Sequence, residues 1–363
     1  MNKMGFGFLR LPQTTEKEID WITLNRMTDA FLAAGGNYFD TAYTYLEGKS
    51  EEAIRKSVVE RYPRDAFRIA DKLPSWKVTS HEDCYTYFEE QKSRCGVDFF
   101  DVYLLHWLNR ANYEIAERWD EFAFLREMKA TGKVGRIGFS YHDNAAFLDE
   151  ILTAHPETDI VQLQINYLDW DSAGIEARKC YETAVKHGKS VVVMEPVKGG
   201  TLADLPAEAE ALFRGNHSEW SAASWALRFV QSLEQVEIVL SGMNTMEQME
   251  DNMQDIQPLT GQEYEVIRQA ANIIESKTAI PCTGCRYCEN QCPKRIDIPD
   301  YFRMYNELRR CPSDDWKIRP AYAQLTRERG KASDCVGCRK CEKQCPQQLK
   351  ISELLKGVAG ALE

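Results

Sequence analysis

No apolar run of about 18 residues or more occurs in the 363-residue sequence, so nothing in it reads as a membrane-spanning helix. No secretory leader is expected at the start either, since Arg10 and Pro12 stand where its apolar core would belong and no small-residue cleavage site follows. A cytoplasmic location and no membrane partner are therefore expected. Positive charge is in deficit, with 45 Lys and Arg against 56 Asp and Glu, and a net charge of −11 argues against nucleic acid as a partner. No Gly-x-Gly-x-x-Gly follows the first apolar run, which counts against a doubly wound dinucleotide-binding sheet. The remaining composition, 44% hydrophobic and 28% charged, is that of an ordinary globular chain with length for one large domain and a small one.

The twelve cysteines are unevenly placed. Cys84, Cys95 and Cys180 are scattered, and nine lie between positions 282 and 345. Eight of the nine form two copies of one pattern. Cys282-x2-Cys285-x2-Cys288-x3-Cys292-Pro293 is matched 53 residues later by Cys335-x2-Cys338-x2-Cys341-x3-Cys345-Pro346. A disulfide scaffold needs an oxidising compartment, which the N-terminal sequence argues against. Structural zinc uses Cys-x-x-Cys pairs split by a longer loop, unlike four ligands in eleven residues. The spacing instead matches the bacterial ferredoxin run at every position. Two [4Fe–4S] clusters follow. In two-cluster ferredoxins the fourth Cys of each run ligates the other cluster, which assigns Cys282, Cys285, Cys288 and Cys345 to one and Cys335, Cys338, Cys341 and Cys292 to the second. Cys311 fits neither run and reads as a spare thiol. From Ala279 onward Lys and Arg outnumber Asp and Glu by 16 to 11, a net +5 that leaves −16 for the preceding 278 residues. Such a positive surplus either offsets anionic clusters or is a mixed solvated surface.

Residues 1–278 read differently, as short β-rich runs alternating with amphipathic stretches. Candidate strands are Gly5–Phe8, Tyr38–Asp40, Phe67–Asp71, Phe100–His106, Arg136–Ser140, Ile160–Gln164, Ser190–Met194 and Val236–Ser241. Helical patterns fall at Ile19–Ala34, Glu51–Arg61, His81–Arg94, Glu114–Ala130 and Gly174–His187, and a further one, Pro299–Arg310, lies between the cysteine runs. Ser80 with Asp83 and Thr245 with Gln248 look like helix starts. Eight strands each followed by a helix imply a (β/α)8 barrel over 1–278 and a small, mostly helical ferredoxin-like domain over 279–363. Polar residues recur at the strand ends: Asp40, Lys72, His106 and Ser140 at steps of 32, 34 and 34, then Gln162 and Met194 after 22 and 32. In a barrel such positions converge on the C-terminal mouth, where chemistry is done.

The segments Asp40-Thr41-Ala42-Tyr43-Thr44-Tyr45 with Ser50-Glu51, Arg68-Ile69-Ala70-Asp71-Lys72, Leu104-Leu105-His106-Trp107, Ile137-Gly138-Phe139-Ser140 and Val161-Gln162 resemble the aldo-keto reductases over residues 1 to 275. The whole chain looks like the subgroup with a C-terminal ferredoxin-like domain. The resemblance implies an NAD(P)H-dependent oxidoreductase that reduces an aldehyde or ketone, with Asp40, Tyr45, Lys72 and His106 as catalytic tetrad. Hydride transfer to a carbonyl builds negative charge on oxygen, which needs a proton donor and electrostatic stabilisation. Tyr45 would supply the O–H, Lys72 would lower its pKa, Asp40 would hold Lys72, His106 would orient the substrate oxygen and Trp107 would wall the substrate pocket.

The same resemblance places Ser140 and Gln162 at the nicotinamide carboxamide, Met194 under the ring, and Gly242, Gln248 and Asn252 toward the distal phosphate end. Tyr141 stands where the family usually has Asn, Met194 where it stacks a Tyr, and Gln248 where an Arg often grips the 2′-phosphate. NADPH and NADH both stay open. A small carbonyl substrate is the expected partner, with an external redox partner protein as a second. Two other functions compete: an electron-transfer protein whose barrel docks a redox partner, and a Schiff-base aldolase using Lys72, which Asp40 and Asp71 nearby disfavour. Clusters take one electron at a time and a nicotinamide gives two as hydride, so structural, oxidant-sensing and electron-exchange roles all remain for the clusters.

Overall fold

A computed structural model describes residues 3–16, 18–172, 174–254, 257–310 and 315–363. Eight parallel strands close a barrel in chain order: β1 (Met4–Gly7), β2 (Tyr38–Asp40), β3 (Arg68–Leu73), β4 (Phe100–Leu108), β5 (Val134–Tyr141), β6 (Ile160–Gln164), β7 (Ser190–Met194) and β8 (Val236–Ser241). Closure comes where β1 pairs with β8, Gly5 opposite Leu240. Strands buried on both faces are rich in apolar residues, and the barrel's polar exceptions, Asp40, Lys72, His106, Ser140 and Gln162 among them, are buried as well. Tyr38, Ala70, Val102, Leu104, Ile160, Val192, Ile238 and Leu240 form one buried cluster contributed by alternating positions of six strands. Phe6, Phe8, Phe31 and Phe39 meet edge-on or tilted at 4.9 to 6.2 Å, tying β1 and β2 to the helix Trp21–Ala33. β6 crowds Gly138 on β5: a Cβ there would lie 2.0 Å from the Ile160 carbonyl oxygen.

The helices follow the expected pattern with two departures. His81–Cys95 starts on the Ser80–Asp83 capping box and stops at left-handed Gly96 (φ +72°). The stretch expected as one helix, Glu114–Ala130, is two, Arg110–Arg118 and Glu121–Ala130. They part at Trp119 and at Asp120, whose φ of +53° no right-handed helix accommodates. Glu51–Arg61 opens as Lys49–Ile54 and relaxes into one wider turn, Arg55–Val59. Among the described residues no helix is long and apolar enough to cross a membrane.

The chain compacts into two units. One gathers the sequence up to Ser172, Glu176–Pro196 and Ala226–Leu259; the other gathers Val197–Trp225 with Thr260–Glu363. Compaction therefore does not follow a single cut at 278/279, because Ala207–Asn216 packs along Gly261–Lys277 and Lys277 pairs with Glu208. In the second unit the helices Ile298–Arg310, Asp315–Leu325 and Ile351–Leu362 bury Tyr301, Phe302, Ile318, Tyr322, Leu355 and Val358, with Cys288 and Cys341 in the same core. Tyr322 ties this core together: its hydroxyl donates to Glu363 at 2.7 Å and accepts from Ala332 N at 2.8 Å. Cys311 lies outside the described residues.

Candidate functional site

The barrel closes Asp40, Tyr45, Lys72 and His106 onto one another. Asp40 ends β2, Lys72 sits in β3 and His106 in β4, so strand pairing alone sets their spacing. Lys72 is fully buried, and its Nζ donates to Asp40 Oδ1 and to the Thr41 carbonyl oxygen, each at 2.6 Å. Thr41 is itself fixed: its hydroxyl meets Ser50 Oγ at 2.7 Å, and Ser50 donates to Phe8 O at 2.9 Å. Tyr45 enters from the loop after β2. Leu46, Glu47 and Gly48 follow it with φ of +50°, +58° and +91°, turning the chain sharply into Lys49–Ile54. The Tyr45 ring lies 5.0 Å from Lys72 Nζ and edge-on to His106 at 5.7 Å.

Burial dominates the electrostatics. It pushes the Tyr45 phenol well above its ordinary value, and Asp40, Glu195 and Asp71 add to the rise. Any lowering by Lys72, the expected effect, is outweighed by burial, and the Lys72 ammonium is itself engaged by Asp40 and Thr41. Burial also raises Asp40, with Lys72 opposing it, and holds His106 well below the usual imidazole range with help from Lys72 and His142. Tyr45 therefore carries its proton at neutral pH, and His106 is a neutral imidazole. Asp40 Oδ2 and His106 Nδ1 are buried with no partner among the described residues.

Around these four, Trp107 stands at φ +63°, its ring 5.6 Å from Trp76 and 6.3 Å from His142. Trp76, 5.1 Å from His106, is a wall residue that reading the strand ends missed. It follows Lys72 by four positions, and that proximity was the available signal. Its loop is anchored by Ser75, whose hydroxyl donates to Glu121 at 2.6 Å. A second layer was also missed. Asp71, on the opposite face of β3 from Lys72, accepts from Gln91 at 2.7 Å; Gln91 accepts from Tyr103 at 2.5 Å; and Arg94 pairs with buried Glu51 at 3.0 Å.

The expected cofactor contacts fall in two groups. Ser140 Oγ accepts from Trp107 N at 2.7 Å, beside the tetrad. Gln162 approaches Met194 Sδ at 3.8 Å, and its Oε1 is buried without a partner among the described residues. At the end of β8, Asn252 donates to Ser241 at 2.9 Å and Gly242 lies against Arg10. Gln248 acts as a cap, accepting from Asn244 N at 2.8 Å while its own N–H donates to Thr245 Oγ1.

The cysteines converge in the second unit. Cys282, Cys285, Cys288 and Cys345 line one cavity; Cys292, Cys335, Cys338 and Cys341 line another. Each run thus sends its fourth cysteine to the other cavity. Gly284 and Arg286 are left-handed (φ +65° each), as are Gly337 (+67°) and Arg339 (+58°), with Arg295 (+54°) and Gln348 (+52°) after each Cys-Pro. Left-handed residues within such loops turn successive N–H groups toward one point, a cradle suited to an anion. Gly284 N donates to Cys282 Sγ at 3.5 Å. Burial pushes the Cys282 and Cys341 thiols up to about 11, and iron bound in the cavities would offset that by favouring the thiolates. No three His, Cys, Asp or Glu among the described residues converge as for one metal ion. A cubane does not ask for that, because its four thiolates bind four separate irons.

Residues 3–272 match the profile described as Aldo/keto reductase family, and residues 281–350 match that of a 4Fe-4S dicluster domain. An aldo-keto reductase of Mycolicibacterium smegmatis is 32% identical over 138 residues, which is 38% of this chain and 46% of that protein. A 9,11-endoperoxide prostaglandin H2 reductase of Trypanosoma cruzi is 27% identical over 144 residues, 39% of this chain and 46% of that protein. The matched stretch spans somewhat under half the length of these curated relatives. Among solved structures, an aldo-keto reductase from Bacillus halodurans in its holo form aligns over 74% of this chain and 91% of its own, with a TM-score of 0.59 and 22% identity. One from Klebsiella pneumoniae in complex with NADPH aligns over 74% and 90%, with a TM-score of 0.59 and 20% identity.

Proposed function

Because the chain belongs to the aldo/keto reductase family and carries a 4Fe-4S dicluster domain, we propose that this oxidoreductase reduces an aldehyde or ketone at the barrel mouth, using NADPH or NADH. The observation that carries the reading is the buried Lys72 clamped by Asp40 and Thr41, 5.0 Å from the Tyr45 ring and within one ring contact of neutral His106. A bound nicotinamide supplies the hydride. Tyr45 Oη donates the proton to the carbonyl oxygen, and the tyrosinate left behind faces the Lys72 ammonium. His106 donates a hydrogen bond to the same oxygen and sets its direction. Trp76 and Trp107 wall the substrate side and exclude water. Ser140 and Gln162 orient the nicotinamide carboxamide, Met194 packs against the ring, and Gly242, Gln248 and Asn252 serve the distal end.

In the same reading the chemistry divides near 278/279. Cys282, Cys285, Cys288 and Cys345 hold one [4Fe–4S] cluster, and Cys335, Cys338, Cys341 and Cys292 hold the second. These clusters carry single electrons. The exposed Cys338 supports the second reading, electron exchange with an external partner. Anaerobic assays of the cluster-loaded protein separate the two. Nicotinamide oxidation and the reduced-cluster paramagnetic signal are followed together, with and without aldehydes and ketones. The reductase gives carbonyl-dependent oxidation with silent clusters, and Tyr45→Phe lowers that turnover by about 10²–10⁴-fold while nicotinamide still binds. Near-normal turnover in the Phe variant would remove the mechanism; cluster reduction by nicotinamide without carbonyl would favour the electron carrier.

A further inference from the structure

The two cysteine runs are alike in spacing and backbone, yet their cavities differ in the residue that follows each Cys-Pro. After Cys345-Pro346 comes Gln347, which lines the cavity of Cys282, Cys285, Cys288 and Cys345. The matching position after Cys292-Pro293 is Lys294, which lines the other cavity and is exposed. Gln347 is held from outside its run. Buried Lys198, at φ +48°, donates from Nζ to Gln347 Oε1 at 3.0 Å. An ammonium has donors only, so the end of the amide facing it must be the oxygen, and the NH2 must face away. That Nε2 is buried and has no partner among the described residues. A buried donor without a partner costs about 1–3 kcal/mol, and the cavity it borders is shaped for a sulfur-rich anion.

The segment carrying Lys198 is also pressed against the first run itself. A Cβ on Gly199, at φ +65°, would lie 2.2 Å from Thr283 O. Thr283 is 5% exposed, whereas Val336, its counterpart in the second run, is 61% exposed. Backbone N–H groups of Leu349, Gln347 and Gln348 already face Cys345 Sγ.

We propose that Lys198 locks the Gln347 amide so that its N–H donates to a sulfur of the cluster held by Cys282, Cys285, Cys288 and Cys345, raising that cluster's reduction potential and leaving the other untouched. This rests on the cluster reading of the eight cysteines. Hydrogen bonds to cluster sulfur and a nearby positive charge both favour the extra electron of the reduced state. Lys198 and Gln347 are positioning residues here; neither is a ligand.

The test is an anaerobic reductive titration of the cluster-loaded full chain, following both paramagnetic signals, with iron and sulfide content measured on every sample. Absence of cluster iron from the wild-type protein would sink the underlying reading. With both clusters present, Gln347→Leu should lower one midpoint by at least tenfold in its reduction equilibrium, which is 59 mV for one electron. Lys198→Met should lower the same midpoint, and Lys198→Arg, which keeps a donor, should retain most of it. The affected signal should be the one unchanged by Cys338→Ser, since Cys338 lines only the second cavity. No shift, an upward shift, or equal shifts of both signals would overturn the proposal. Loss of the cluster from all three Lys198 and Gln347 variants would assign the pair to assembly and overturn it equally.

Discussion

In the barrel, Asp40, Lys72 and His106 sit on three strands more than thirty residues apart in sequence and meet only because the sheet closes. In the second unit, each set of four cysteines draws three from one eleven-residue run and the fourth from the other. The first site is made by long-range pairing in a dry interior, and the second by local left-handed turns plus a single exchange. The difference governs what disturbs each site. A barrel residue is held by neighbours on other strands, so removing one leaves its partner stranded. A cysteine loop keeps its path through its own φ angles, so a lost thiolate removes a ligand and leaves the loop in place.

Cys288→Ala tests the sharpest side of this contrast. It should abolish one of two clusters, roughly halving the iron content, with Tyr45-dependent carbonyl turnover retained. Loss of both clusters would show that the crossed cysteines make the two sites interdependent.

Lys72→Met attacks the other site. Asp40 is left buried and unpaired, and stability should fall by about 3–5 kcal/mol in denaturant titration, along with activity, while iron content holds. A fall well below that would mean that Asp40 takes up a proton or water at little cost.

The mildest effect is one of pH. Burial pushes Glu121 up to about 7 from an ordinary 4.5, with Ser75 opposing. A carboxyl raised in the folded state adds stability below its unfolded pKa, and that stability is lost as pH rises from about 4.5 to about 7. Glu121→Gln should flatten this window, leaving stability near pH 4 little changed and raising it at pH 8 by up to about 3 kcal/mol. An unchanged pH profile would assign the loss of stability on raising pH to other groups, Asp71 first among them.

What could be read in advance follows the same division. Cysteine spacing is a local property, and the crossed sets seen in the two cavities could be named from it. The strands were legible because short β-rich runs such as Ile160–Gln164, Ser190–Met194 and Val236–Ser241 stand between amphipathic stretches, and their bounds coincide with those observed. The tetrad could be lined up, but its electrostatics could not. Adjacency of Lys72 suggested a lowered Tyr45, whereas burial, which no local pattern reports, raises it. Asp120 lies within an unbroken helical periodicity, and its left-handed φ follows from packing. The Asp71–Gln91–Tyr103 chain joins three elements and has no signature in any one of them. Val197–Trp225 joins the second unit through helix packing far along the chain, so no composition shift marks it.

The left-handed residues recur at matched places: Gly284 and Gly337, Arg286 and Arg339, Arg295 and Gln348. Two runs that share their rare backbone angles are two prints of one loop, and the second half inherits a path as well as a spacing. Side chains that do not set that path were then free to diverge, as Gln347 and Lys294 have. The module is one frame used twice, with side chains that set its halves apart.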